Sequence, residues 1–140
     1  MEYKQFFKKN NNRANFFLQK EKIKKSFPEM NVYLKNNELI CRGYISPITN
    51  EQKYKLLLKY KINSVPKVWI KGNNDIDKCK KHIYKDGSLC LYYPQEWRWS
   101  LSYNVHETIL PWTAEWIVCF EYWKRYGKWC APESTHNEPK

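Results

Sequence analysis

Alternation between apolar and charged positions is sharpest over residues 53–62. There Tyr54, Leu56, Leu58, Tyr60 and Ile62 interleave with Lys53, Lys55, Leu57, Lys59 and Lys61. A period of two predicts a β-strand with one face on a core and a mostly lysine face in water. Upstream, Asn31 to Lys35 and Glu38 to Ile45 read as strands around Asn36-Asn37, a hairpin turn pair. Downstream, Val65 to Lys71 reads as a fourth strand, with Pro66 near its opening where a missing donor is tolerated, and Gly72-Asn73-Asn74-Asp75 ends it.

Helical spacing brackets these strands. From about Asn12 to Ser26, Phe16, Ile23 and Phe27 fall near one face, Asn10, Asn11 and Asn12 supply caps, and Pro28 stops the pattern. The first ten residues read as a separate short helix or a frayed end. From Pro111 to Tyr126, Trp112, Trp116, Phe120 and Trp123 recur at helical spacing, with proline in the first turn and Gly127 at the C-terminal cap. Residues 72–100 hold no long periodic element, yet their aromatic content argues against disorder, so a functional loop is expected. The polar stretch 131–140 reads as a tail. No repeat or linker interrupts the pattern, which predicts one α+β domain over residues 1–140: a helix, a four-stranded antiparallel meander, a long loop and a C-terminal helix.

Composition narrows the class. With 17% aromatic residues, including seven Trp and eleven Tyr, a chain of 140 residues has ample bulk for a core. No apolar run approaches the roughly 18 residues that span a bilayer, and the N-terminus lacks a signal peptide's apolar stretch, so a cytoplasmic protein without membrane insertion is expected. Five irregularly spaced cysteines do not make a disulfide framework, and reduced thiols are expected. The net charge of +11 favours acidic partners, nucleic acid among them. Much of it gathers in residues 1–25, where Lys20, Lys22 and Lys24 lie on the first helix. Glycine occurs only four times, with no GxxxxGK[ST] loop and no GxGxxG turn, so no nucleotide cofactor is expected.

The chemistry gathers at His82-Ile83-Tyr84-Lys85-Asp86-Gly87-Ser88-Leu89-Cys90. Asp-Gly is a strong turn signal, so the chain is expected to reverse and bring His82 near Cys90. Leu91, Tyr92-Tyr93-Pro94, Trp97 and Trp99 come next. A cysteine in an ordered loop suits thiol chemistry, and Lys80, Lys81 and Lys85 nearby would favour a thiolate; a cysteine flanked by leucines is equally at home as a buried apolar residue.

This segment resembles the active-site loop of ubiquitin-conjugating enzymes, in which a His-Pro-Asn tripeptide precedes an Asp-Gly turn, a cysteine between apolar residues and a downstream tryptophan. His82, Asp86-Gly87, Leu89-Cys90-Leu91 and Trp97 carry the likeness. Ile83-Tyr84 replaces Pro-Asn, and the loop is shorter than the eukaryotic pattern. The aromatic stretch from Trp112 to Trp129 is similar to the bacterial branch, including the stand-alone conjugating proteins of CBASS antiphage operons. The resemblance implies a ubiquitin-conjugating-like fold and a catalytic Cys90 that takes the C-terminus of a protein donor as a thioester and passes it to a protein or small amine. In the CBASS branch the donor would be a cGAS-like nucleotidyltransferase, and the basic first helix a docking surface.

His82 then has three readings: loop brace, general base or metal ligand. Tyr84 stands where the family asparagine would serve the oxyanion, or packs beside Tyr92 and Tyr93. Cys79, His82, Cys130 and His136 offer a weak zinc pattern without a C-x-x-C pair, and no metal is expected. His136 either folds back to the site or stays solvated. Trp97 and Trp99 read as core packing over the loop, or as a partner groove. The competing function is a non-catalytic basic module that binds protein or nucleic acid on the same fold.

Overall fold

A computed structural model describes residues 11–47 and 52–131. Helix α1 spans Asn11–Ser26; strands β1 (Asn31–Lys35), β2 (Glu38–Ile45), β3 (Tyr54–Lys61) and β4 (Lys67–Lys71) come after it; helix α2 spans Ile109–Tyr126. The four strands form one antiparallel sheet in chain order, with Lys35 opposite Glu38 across the first hairpin. Asn36 and Asn37 both take positive φ (53° and 61°), the conformation a two-residue hairpin needs and one that asparagine tolerates. This is the α+β arrangement of a ubiquitin-conjugating-like domain. The first ten residues, most of the polar tail and His136 lie outside the described residues.

The alternating face of β3 builds the core. Tyr54, Leu56, Leu58 and Tyr60 are buried, and both helices pack on that side: Phe16 of α1 lies 4.9 Å from the Tyr60 ring, and Phe120 of α2 meets Tyr54 edge-on at 6.1 Å. On α1 the buried positions are Phe16, Gln19 and Ile23, one helical stripe with a polar residue at its centre. The expectation that Leu57 sits on a watery face is wrong. It is buried on the opposite side of the sheet, paired laterally with Trp69 of β4. Helix α2 begins two residues before Pro111, and Gly127 caps it in the left-handed region at φ 75°, donating to the Trp123 carbonyl at 2.8 Å.

Gln19 ties α1 to the segment before α2. Its Oε1 accepts from the Val105 N–H at 2.9 Å and its Nε2 donates to the Tyr103 carbonyl at 3.0 Å. A buried amide paired on both ends stabilises a contact that apolar packing alone would leave free to slide. Trp99 closes the other side, its indole N–H donating to the Tyr60 hydroxyl at 2.8 Å. None of the described helices is long and apolar enough to cross a membrane.

Candidate active site

The loop between β4 and α2 is held by its backbone. Two short 3-10 turns, Ile76–Lys78 and Lys80–His82, lead into a tight reversal. The Gly87 N–H donates to the Tyr84 carbonyl at 2.9 Å, the Tyr84 N–H to the Ser88 carbonyl at 2.8 Å, and the Cys90 N–H to the His82 carbonyl at 3.0 Å. His82 and Cys90 are thus neighbours through their main chains. Gly87 supplies a φ of 86° that L side chains rarely adopt, and a Cβ there would stand 3.5 Å from the Trp69 ring.

Asp86 fastens this turn to the sheet. One carboxylate oxygen accepts from the Ser88 N–H (2.9 Å) and hydroxyl (2.6 Å); the other pairs with Lys67 at 2.8 Å. Its carbonyl accepts from the Trp69 indole at 2.9 Å, and the Leu89 N–H donates to the Val68 carbonyl at 2.9 Å. Burial alone would push the Asp86 carboxyl up; Lys67 and the two Ser88 donors outweigh it and hold the group at about 2. The carboxylate is therefore charged at any neutral pH, and the turn keeps its clamp.

Cys90 is 8% exposed yet is not sealed, because it borders a groove of about 360 Å³ with His82, Glu96, Trp97, Glu115 and Trp129. Burial pushes its thiol up to about 12, Asp86 adds to the rise, and a hydrogen bond with the Tyr84 hydroxyl opposes it. The expectation that Lys80, Lys81 and Lys85 would favour a thiolate is not met: all three lie outside the groups acting on the sulfur, and Lys80 and Lys85 are exposed. The resting group is a neutral thiol. Tyr84 itself is raised well above its usual range, first by burial and then by Cys90, so its phenol keeps its proton and acts as a donor. Its ring borders a second groove of about 540 Å³, with Lys67, Pro94 and Arg98. Leu91, Tyr92 and Trp97 line both grooves and form the divide between them.

His82 is buried, and its ring stacks on Trp129 at 3.7 Å with 9° between planes. Its carbonyl accepts from the Trp116 indole at 3.0 Å as well as from Cys90. A disulfide just beyond α2 anchors Trp129: its neighbour Cys130 pairs with Cys119, with a Cα–Cα separation of 5.1 Å. This corrects the expectation of reduced thiols throughout; Cys41, Cys79 and Cys90 are free, and Cys119–Cys130 is the exception. The pairing also takes Cys130 out of the weak zinc pattern, and among the described residues no three candidate ligands gather. Trp97 lies within 5 Å, ring to ring, of Tyr92, Tyr103 and Trp112, so it is part of the groove wall as well as of the packing.

The loop thus holds a thiol beside a phenol donor, at the border of a groove. A family model described as Type II CBASS E2 protein matches residues 19–137. The chain belongs to that family. Among curated proteins, none matches it. The CBASS E2 family is one of conjugating proteins in antiphage defence, which implies a protein partner within that system. The match takes in α1 from Gln19 onward, all four strands, the Cys90 loop and α2. Glu96 and Glu115, which share the Cys90 groove, were not singled out by the sequence. No motif marks them, since Glu115 arrives from α2, 25 residues downstream by its number.

Proposed function

We propose that Cys90 is the acyl-carrying nucleophile of this CBASS E2 protein. It takes the C-terminal acyl group of a protein donor as a thioester and delivers it to an amine. The observation that carries the reading is the Tyr84 hydroxyl bonded to the Cys90 sulfur at the edge of an open groove. In the first step the sulfur attacks the carbonyl carbon of an activated donor. The new S–C bond forms, the bond to the donor's leaving group breaks, and the Cys90 proton ends on that group. Because the resting thiol is protonated, Tyr84 acts while charge develops: it donates to the sulfur as its proton leaves, then to the carbonyl oxygen in the tetrahedral intermediate.

His82 braces rather than transfers protons. Its main-chain carbonyl positions Cys90, and its ring is engaged by Trp129. Forming a thioester from a free carboxylate is uphill, so the donor is activated elsewhere or the step is driven by downstream chemistry. By resemblance to the CBASS branch, the donor in this reading is the C-terminus of a cGAS-like nucleotidyltransferase.

The test is a non-reducing gel of the protein expressed with its operon neighbours. A shifted band that thiols abolish, that Cys90→Ala lacks and that Cys90→Ser renders thiol-resistant is the expected result. No Cys90-dependent adduct under those conditions rejects the transferase and leaves a binding module. Charge reversal at Lys20, Lys22 and Lys24, all on α1, is expected to weaken adduct formation without unfolding the protein; normal conjugation by that variant rejects α1 as a docking surface.

A further inference from the structure

The face of the sheet turned away from both helices gathers positive charge, and the strand register sets it out. Lys55 of β3 stands opposite Lys71 of β4, and Lys59 opposite Lys67, with Leu57 and Trp69 as the pair between them. On β2 the same face continues through Tyr44, opposite Lys55, and Arg42, opposite Leu57. Lys61 of β3 and Lys35 of β1 flank Glu38, the sole acidic residue among the strand positions of that face. Like charges directly opposite each other on antiparallel strands repel. Among the described residues, Lys67 alone of these lysines holds a carboxylate, that of Asp86 at the β4 edge; Lys55, Lys59, Lys61 and Lys71 hold none. We infer that this face binds single-stranded nucleic acid, with its lysines and Arg42 on phosphates and its exposed rings against bases.

A row of phosphates supplies the counter-charge that the protein lacks on this face, and seating it releases condensed counterions. Charge alone suits any polyanion; the rings narrow the choice. Tyr44 is 59% exposed beside Lys55. Tyr33 of β1 is half-buried on the same face, and its hydroxyl accepts from the Arg42 Nε at 3.0 Å, which leaves the two terminal guanidinium nitrogens for a phosphate. Every base has a π-face, so an exposed ring on a sheet stacks bases with little regard to sequence. A duplex hides those faces and offers its backbone alone. From Lys55 to Lys61 the strand runs about 20 Å, and four strands reach about 14 Å across. That is room for about four nucleotides, the low end of what one OB fold tracks. None of these residues lines the groove that Cys90 borders, so the inference stands whether or not the thiol carries an acyl group.

The experiment titrates a short fluorescein-labelled oligo(dT) with the full chain and reads anisotropy across a range of salt concentrations. The same strand annealed to its complement and a poly-L-glutamate competitor complete the set. With about four phosphates neutralised, log K is expected to fall against log salt with a slope of about −3. The triple variant Lys55→Gln, Lys59→Gln, Lys71→Gln loses cross-strand repulsion and so keeps its fold, which a melting curve verifies. It is expected to bind oligo(dT) at least about tenfold more weakly, with a slope flatter by about 2. Tyr44→Ala, at an exposed position, is expected to weaken binding about tenfold at fixed salt and leave the slope in place. Binding by the triple variant within about twofold of the wild type overturns the inference, as does an equal loss from Lys20→Gln, Lys22→Gln, Lys24→Gln on α1. Tighter binding of the duplex overturns the single-stranded reading. Unchanged affinity in Tyr44→Ala, or displacement of the strand by poly-L-glutamate at equal charge, assigns the face to an acidic protein and overturns the nucleic-acid reading.

Discussion

Replacing Tyr84 by phenylalanine removes one hydroxyl and leaves the ring that borders the second groove. Among the described residues, that hydroxyl is the sole group opposing the rise of the Cys90 thiol, which burial and Asp86 push to about 12. A hydrogen bond to a charged group contributes about 1.5–3 kcal/mol, so the thiolate forming during attack loses roughly ten- to a hundredfold in stability. If the same hydroxyl also serves the carbonyl oxygen, loss of an oxyanion donor costs about 10²–10³ in rate. The two roles act at successive moments of one step and are not additive, so a fall of about a hundredfold in thioester formation is expected. The assay is single-turnover acylation of Cys90 by a peptide thioester, followed by intact-mass spectrometry across a range of thioester concentrations. The loss should lie in the maximal rate and leave the half-saturating concentration in place. A variant that acylates within about threefold of the wild type removes Tyr84 from the chemistry and makes its contact with the sulfur a packing detail.

Three further outcomes are expected. A thiol reacts as its deprotonated form, so raising its pKa moves reactivity to higher pH: alkylation of Cys90 by iodoacetamide should climb about tenfold per pH unit from about pH 7 to about pH 10. A plateau near about pH 9, read by peptide mass mapping, contradicts the burial argument. Gly87→Ala forces a side chain into the left-handed region beside Trp69, and should lower the unfolding free energy in urea by about 1 kcal/mol while slowing acylation; an unchanged midpoint refutes the strain. Gln19→Ala leaves the Val105 N–H without its acceptor, a buried loss of about 2–3 kcal/mol; a change below about half a kcal/mol refutes the anchoring role.

The elements were legible because their signals are local. Alternation at Tyr54 to Tyr60, the Asn36-Asn37 pair and the glycine after Tyr126 each report the conformation of a few adjacent residues. The structure bears these out nearly to the residue: β1 and β2 coincide with their predicted spans, and α2 gains two residues at its start. The Asp-Gly turn was equally readable, since only a small set of residues accepts that backbone. Leu57 was misplaced because a period of two says which positions share a face, not how well the far face is covered; Trp69 from the neighbouring strand decides that.

The site divides the same way. From the sequence alone came the candidate thiol, the turn before it and Tyr84 as a group two positions from His82, all within one short loop. Only the tertiary structure decided the protonation of Cys90, because desolvation depends on every neighbour the fold supplies, and the local lysines expected to favour a thiolate do not act on the sulfur. It alone brought Glu115 across from α2, laid Trp129 on His82 and paired Cys119 with Cys130. Turn formation and strand periodicity act over a few bonds of chain. Burial, charge pairing and the sharing of one groove act through space, where distance along the chain carries no weight.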